Sequence, residues 1–443
     1  MKSLFAIFLQ LIYLSSAVTA QQPVLNSYSL KQSIEIALAN NLQVKQSEFQ
    51  ARSAGIALKQ EKSNLLPDIF ASINHGLNQG RSIDPATNGY VNDNVSYANY
   101  ALSGGITLFS GLVLRNQIKR SAYAYQASAM EEQQAKDNLA LKVVIAYFQI
   151  LNNEDQVSQA RLQKEITISQ IERLQILDKK GAIAPAQLSD LMGQLANDEL
   201  SLINSQNNLN SSKITLAELM NVAYTRDFKV ERIRADEFSE KSFEAPEDIY
   251  ILALEQLATI KGTTLRTKSA AQGVKIAKGL NSPQLRLNSD LLSNYSSAAT
   301  PDLPLPEQLR NNYSSSYSLS LRIPILTSDR TRNRLALAKI ELESAKRVEE
   351  TTKLQLKQAV DLAWFNKMTA DERLRTLNEQ LIAFKESFQS AEIRLNAGVG
   401  AVVDYMIAKN NLDKTSINLI NARYDWLLRV KILDYYKGQL VYH

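Results

Sequence analysis

The apolar positions change their spacing at two places, about half the chain length apart. In SLSLRIPILTSDRTRNRLALAK (318–339) apolar residues occupy every second position as far as Ile325, and from Leu335 they recur at three- and four-residue steps. The stretch ALSGGITLFSGLVLRNQIKR (101–120) shows the same change. A period of two is typical of a strand with one apolar face, and steps of three and four are typical of an amphipathic helix. Each stretch therefore predicts a strand that leads directly into a helix.

Two long segments follow these junctions without a residue that breaks helices. There are 69 residues without Gly or Pro between Gly111 and Gly181, and 73 between Pro324 and Gly398. Apolar residues keep the helical spacing through both segments, and Gln, Asn, Glu and Lys occupy the opposite side. A helix of ~67 residues is ~100 Å long at 1.5 Å per residue. The pattern thus predicts two unusually long helices, which must be buried along their length by other helices.

Shorter helical patterns supply these partners. They cover residues 29–65, 186–220, 246–281 and 402–437. In each half of the chain the two shorter segments together match the length of the long one, which predicts elongated antiparallel coiled units.

The two halves correspond in detail, which indicates an internal duplication of about 216 residues. Pro67 and Pro283 are 216 positions apart, and Gly181 and Gly398 are 217 apart. The predicted organisation is a signal peptide (1–20), a first repeat (21–225), a charged equatorial linker (226–248) and a second repeat (249–443). The repeats contain strand pairs at 67–109 and 283–326, long helices at 111–180 and 329–397, and return helices at 186–220 and 402–437.

The strand-like runs of each repeat have one apolar and one polar face. They are PDIFASINHGL, SYANYALSGGITLF, PQLRLNSDLL and YSSSYSLSLRIPI. Runs of about ten residues with this alternation are typical of transmembrane strands that separate lipid from water. One sheet of a soluble sandwich has the same alternation, so the strands alone leave both alternatives open.

Composition narrows the class of protein. The first twenty residues have the layout of a cleaved secretory signal. Without Lys2 the formal charge falls from +5 to +4, which is too weakly basic to indicate nucleic-acid binding. The chain has no Cys and two His, and it contains no nucleotide-binding loop, nucleophile elbow or metal-ligand cluster. These observations argue against an enzyme, a metal site and a bound cofactor.

Three stretches carry a resemblance to TolC-type outer-membrane efflux proteins, which covers essentially the whole mature chain. They are GGITLFSGLVLRNQI, LRIPILTSDRTRNRL and LNAGVGAVVDYMIAKNNLDKTSINLINARYDWLLRVKILDYYKGQL. The resemblance implies a mainly α fold with a small transmembrane β-barrel, to which each chain of a homotrimer contributes four of twelve strands. Long antiparallel helical hairpins would continue this barrel as a periplasmic α-barrel.

The same resemblance implies the function and the partners. The protein would reside in the cell outer membrane, in contact with its lipid and with a large periplasmic portion. It would act as the passive duct of a tripartite efflux or type I secretion system. Its substrates would come from a periplasmic adaptor and an inner-membrane transporter of the RND, ABC or MFS type. The alternative is a structural periplasmic coiled-coil or adaptor (membrane fusion) protein.

The resemblance also identifies candidate site residues. Gly181 and Gly398 would form the hairpin tips at the periplasmic end. Six residues after Gly398, Asp404 matches the first acid of the ring that closes the duct in the family. At the position of the family's second acid, three residues further on, this sequence has Ile407. The predicted gate therefore consists of Asp404 with the apolar residues Val403 and Ile407.

Overall fold

The computed structural model describes residues 27–83, 88–92, 94–180, 183, 185–233, 245–299 and 303–439. The predicted signal peptide, Gly181 and residues 234–244 of the predicted linker lie outside these residues. The first repeat comprises α1 (Leu30–Asn40), α2 (Leu42–Ser63), β1 (Asp68–Asn78), β2 (Arg81–Ile83), β3 (Tyr90–Asn92), β4 (Val95–Phe109), α3 (Val113–Lys179) and α4 (Pro185–Met220). The second comprises α5 (Pro246–Gln256), α6 (Ala258–Gly279), β5 (Gln284–Ser296), α7 (Leu305–Asn311), β6 (Ser314–Arg322), α8 (Arg330–Asn396) and α9 (Val402–Tyr436).

The two long helices, α3 and α8, have 67 residues each. Helix α3 packs against α2 and α4 of its own repeat and against α6 of the other, and α8 packs against α6 and α9. Helix α9 also contacts α3, which joins the second hairpin (α8 and α9) to the first (α3 and α4). None of the helices in the described ranges is both long and apolar enough to span a membrane.

The first helix of each repeat is divided, which differs from the single helices predicted over 29–65 and 246–281. Asn41 separates α1 from α2 with an extended backbone (φ −64°, ψ 128°), and Leu257 separates α5 from α6 in the same way (φ −69°, ψ 132°). The Asn41 side chain accepts hydrogen bonds from the backbone N–H groups two and three residues on, as an N-cap does. A single extended residue barely disturbs the apolar spacing, so the pattern does not reveal it. The breaks lie 216 positions apart and therefore belong to the duplicated unit.

The four longer strands form one antiparallel sheet in the order β1-β4-β5-β6. Residues paired across the strands share a face, and the pairing sorts the side chains by polarity. One cross-strand row joins Asp68, Gly105, Asn288 and Ser318, and a row on the other face joins Ile106, Leu287 and Leu319. The sheet thus has one polar and one apolar face over all four strands.

The junctions between strand and helix turn more sharply than a direct run would. After β6, Ile325 and Leu326 are 93% and 89% exposed, and Ser328 and Asp329 have positive φ angles of 49° and 59°. At the first junction Gly111 takes this conformation (φ 61°), and a Cβ there would lie 2.5 Å from the carbonyl oxygen of Gly279. The first junction is therefore held against the end of α6.

Candidate functional site

The turn between α8 and α9 begins with a glycine in the left-handed conformation. Gly398 has φ +76°, and its N–H donates to the Leu395 carbonyl at 3.1 Å. The Val399 N–H donates to the Arg394 carbonyl, also at 3.1 Å. This pair of bonds is the Schellman arrangement that ends a helix. It reverses the chain within a few residues, so that α9 can return along α8.

The three predicted gate residues lie together on the exposed side of the first two turns of α9. Val403 and Ile407 are 55% and 56% exposed, and Asp404 is exposed between them. Within the described parts of the chain, the Asp404 side chain has no hydrogen bond or ion pair. Its carboxylate lies in the first helical turn, where the helix dipole stabilises negative charge. The opposite side of these turns, with Val402 and Tyr405, is buried.

The first hairpin is described only in part at its tip. Gly181 lies outside the described residues, so its predicted role as a hairpin tip stays a prediction. The Arg173 guanidinium, near the end of α3, donates to the Asn396 carbonyl oxygen at 3.0 Å. It thus places a positive charge at the negative end of the α8 dipole.

Beneath the tip, apolar side chains from both hairpins form one cluster. Phe388 of α8 packs against Tyr405 of α9 with ring centroids 5.4 Å apart. The other buried members are Ile171, Leu174, Leu191, Ala391, Leu395, Val402 and Ala408. The cluster therefore holds the start of α9 against the first hairpin.

A buried ionic cluster lies next to these apolar residues. Lys409 is 1% exposed, and its ammonium contacts Asp198 Oδ2 at 3.1 Å and Asp413 Oδ2 at 2.6 Å. The Asp198 carboxylate also accepts from Thr167 Oγ1 at 2.5 Å and from Gln194 Nε2 at 2.9 Å. Three helices meet here, because Thr167 belongs to α3, Asp198 to α4 and Lys409 to α9.

The buried ionic cluster contains one cation and two carboxylates, so it is short of positive charge. Burial raises the pKa of the Asp413 carboxyl above its ordinary value, and the neighbouring Lys409 offsets part of this shift. The pKa of the Tyr405 hydroxyl is raised by burial and by the nearby Glu392, Asp413 and Asp198.

The sequence alone does not predict this cluster, although it carries two signals of it. Lys409 follows the buried Val402 and Tyr405 at helical spacing, where an apolar residue is expected. Asp413 follows Lys409 by four residues, which places an acid on the same side of the helix. The third member, Asp198, is 211 residues away, and no local pattern links it to Lys409.

Two further contacts join α9 to α3 farther from the tip. The Asn152 amide donates to Asn421 at 3.0 Å, and the Tyr424 hydroxyl donates to Asp155 at 2.8 Å. Across the described ranges no group of three or more His, Cys, Asp and Glu side chains is placed to hold a metal ion. The polar contacts of the tip region thus join helix to helix.

Comparisons with known proteins agree with this architecture. The sequence profile of the family described as "Outer membrane efflux protein" matches residues 33–222 and 249–438, one match for each repeat. The outer membrane protein TolC of Vibrio cholerae is 23% identical over 436 residues, which cover 97% of this chain and 94% of the relative.

Two solved structures share the fold. The structure of CusC, described in terms of folding and transmembrane channel formation, has a TM-score of 0.81 at 15% identity and covers 92% of both chains. The Campylobacter jejuni CmeC outer membrane channel has a TM-score of 0.80 at 17% identity and covers 93% of this chain and 86% of its own. With both repeats matched, this chain belongs to the outer membrane efflux protein family and is a TolC-like efflux channel of the outer membrane with a large periplasmic helical portion.

Proposed function

We propose that three copies of this chain assemble into one continuous duct through which substrates leave the periplasm passively. The observation that carries the proposal is the sheet, which has a polar face and an apolar face and, among the described residues, no partner strand at its two edges, on β1 and β6. Unpaired backbone groups are costly inside a membrane. Four strands are also too few to close around water, since even a closed barrel of about eight strands is filled by its own side chains. The edges must therefore pair with other copies.

The direction of the strands permits this pairing. In an antiparallel sheet of four strands, β6 runs opposite to β1. The β6 edge of one copy can thus continue antiparallel onto the β1 edge of the next, with polar faces together on the inside. Three copies give the twelve strands that the resemblance to TolC-type proteins implies.

The helices have a surface that fits the same assembly. Side chains along the whole of α8 leave apolar groups exposed, and so do side chains of α2 and α4. On α8 these are Leu337, Ile340, Val348, Leu354, Leu362, Phe365, Ile382 and Ile393. A stripe of this length on a helix is typical of a face that packs against another helix. The proposal places the α8 stripe of one copy against α2 and α4 of its neighbour.

At the periplasmic end, the proposal assigns the gate to Asp404, Val403 and Ile407. The support is their shared exposure on the first turns of α9, next to the Gly398 turn. Three copies of Asp404 would form an acidic ring beside an apolar one. Val399 at the turn is also exposed, and it offers an apolar contact to a periplasmic adaptor that connects the duct to an inner-membrane transporter of the RND, ABC or MFS type. The relatives are channel proteins, and the proposal assigns the chain no catalytic step and no cofactor.

Cysteine pairs on the open edges test the assembly, and the chain has no cysteine of its own. Ser72→Cys on β1 is combined in turn with Ser316→Cys, Ser318→Cys or Ser320→Cys on β6, all on the polar face. Oxidation in membranes should join chains through at least one of these pairs into a covalent trimer.

The matched control combines Ser72→Cys with Leu319→Cys, which lies on the apolar face and should cross-link poorly. The proposal is wrong if no polar-face pair joins two chains, or if the protein is recovered as a monomer without detergent.

A further inference from the structure

The helix ends next to the sheet carry a large excess of positive charge. The ten helical residues nearest the sheet in α2, α3, α6 and α8 contain eleven basic residues and one acidic residue, Glu61. The basic residues are Lys59, Lys62, Arg115, Lys119, Arg120, Lys275, Lys278, Arg330, Arg332, Arg334 and Lys339. The whole chain has 50 basic and 45 acidic residues, so this excess is local.

The opposite ends of the hairpins do not share the excess. The ten residues nearest the tip in α3, α4, α8 and α9 contain four basic and five acidic residues. Chain composition therefore does not explain the charge next to the sheet.

Within the described ranges, nine of these eleven basic side chains have no acidic partner. All eleven are exposed. Among the described residues only Arg120, with Glu341 at 3.2 Å, and Arg332, with Asp329 at 3.9 Å, form ion pairs. The helix dipole does not favour arginines at the start of α8, because the first turns of a helix are the positive end of its dipole. An anion outside the described chain would offset both the side-chain charge and the dipole.

The basic residues adjoin an exposed apolar surface. Leu65, Leu66, Leu108, Phe109 and Leu112 expose large apolar side chains at the first junction, as do Ile323, Ile325 and Leu326 at the second. These side chains lie where the strands of the sheet meet the helices. Moving from the sheet into the helices, the surface changes from apolar to cationic within one or two helical turns, each ~5.4 Å long. A membrane changes from hydrocarbon to phosphate in the same order and over a similar distance.

We propose that the eleven side chains, here called the basic collar, bind the phosphate groups of anionic phospholipids in the periplasmic leaflet of the outer membrane. The collar draws on four helices. Arg330 and Arg332 are two residues apart and project to nearly opposite sides of α8. Cations therefore lie on more than one side of α8, and those that face the membrane would meet the headgroups. The proposal rests on the membrane location of the family and does not depend on the number of copies.

The test compares lipid retention by the full-length protein in detergent, measured by native mass spectrometry. The protein is given equal amounts of phosphatidylglycerol and phosphatidylcholine with the same acyl chains. Arg330→Gln, Arg332→Gln and Arg334→Gln are combined in one variant. The control combines Arg373→Gln, Lys385→Gln and Arg394→Gln, three exposed cations of the same helix far from the sheet.

The wild-type protein and the control should prefer phosphatidylglycerol. The collar variant should lose roughly fivefold in this preference for each removed charge that faces a headgroup. The wild-type preference should also fall between about 0.05 and 0.5 M salt, because screening weakens exposed charges. Should the triple variant not assemble, Lys275→Gln with Lys278→Gln tests the collar from α6.

An unchanged preference in every collar variant that assembles would overturn the proposal. An equal loss in the control would overturn it as well. A variant that keeps its lipid preference but alters the ion selectivity of the pore would show that the cations line the duct, which also contradicts the proposal.

Discussion

Replacing Lys409 by Met tests how the second hairpin is held against the first. The substitution keeps a long side chain in the buried position and removes the one cation of the buried ionic cluster. Asp198 and Asp413 would then be two carboxylates in the same buried site, without the ammonium that contacts both. Because Asp198 belongs to α4 and Lys409 to α9, the loss falls on the contact between the hairpins.

The structure sets the size of the effect. Removing one partner of a buried ion pair costs about 3–5 kcal/mol, because a charge is left uncompensated. Proton uptake limits this cost. Neutralising a carboxyl with an ordinary pKa of 3.8 at pH 7 costs about 4.4 kcal/mol, at 1.36 kcal/mol per pH unit. We therefore expect Lys409→Met to weaken the local contact by about 3–4 kcal/mol at pH 7.

Hydrogen exchange of the α9 backbone measures this contact without unfolding the whole protein. Amides between Tyr405 and Asp413 should exchange roughly 100- to 1,000-fold faster in Lys409→Met than in the wild type, at a tenfold change per ~1.4 kcal/mol. The control is Lys414→Met, an exposed lysine on the same helix, which should change little. Adding Asp198→Asn and Asp413→Asn to Lys409→Met should restore part of the protection, because no charge is then left buried.

Unchanged exchange in Lys409→Met would refute the reasoning, since it would mean that the apolar cluster alone holds the hairpins together. A loss of protection in Lys414→Met as large as in Lys409→Met would also contradict it.

Three further predictions concern the same end of the molecule. Asp404→Asn should weaken cation preference and divalent block in planar bilayers, because it removes the charge of the proposed ring. Asp190→Asn, which removes an acid of α4 outside the proposed ring, should do much less, and equal effects would mean that the tip is sealed by apolar residues. Gly398→Ala should destabilise the hairpin by roughly 1–2 kcal/mol in thermal unfolding, because a Cβ strains its positive φ. Gly193→Ala should stabilise the protein by roughly 0.5–1 kcal/mol, because Gly193 is helical and a Cβ there would meet no described atom within 4 Å. The raised pKa of Asp413 means that the folded contact holds this proton more tightly than the open state does, so the exchange protection of α9 should decrease as pH rises above 3.8; Asp413→Asn should show a smaller pH dependence.

The sequence predicted the repeated architecture because its signals are long or are duplicated. Two segments of about seventy residues have helical spacing and contain neither Gly nor Pro, which break helices. Together these features strongly predict the long helices α3 and α8. Strand alternation likewise predicted which residues share a face, and the register of β4 with β5 and β6 places them in common rows. These features depend on near neighbours in the chain.

Features that depend on one residue, or on residues far apart, were not predictable. The break at Asn41 results from a single extended residue, and an Asn inside a helical pattern is no strong signal. Asp198 and Lys409 meet only after two hairpins have packed side by side. The basic collar collects charges from four helices, and the excess is apparent only when their sheet-side ends are brought together.

The two ends of the helical portion use basic side chains in opposite ways. At the tip, Lys409 is buried and contacts two carboxylates at fixed distances, so its interaction depends on one arrangement of α4 and α9. A buried ion pair of this kind favours one register of the packed helices over the adjacent registers, because sliding one helix along the other would leave the charges unpaired. At the sheet, Arg330 and Arg334 are exposed without an acidic partner among the described residues. Attraction between exposed charges acts within about a Debye length, ~8 Å at physiological salt, and does not require one fixed contact. The proposed gate at the tip requires a defined geometry, which the buried contacts of Lys409 supply. The proposed contact with a fluid membrane surface requires attraction without a fixed geometry, which the exposed arginines supply.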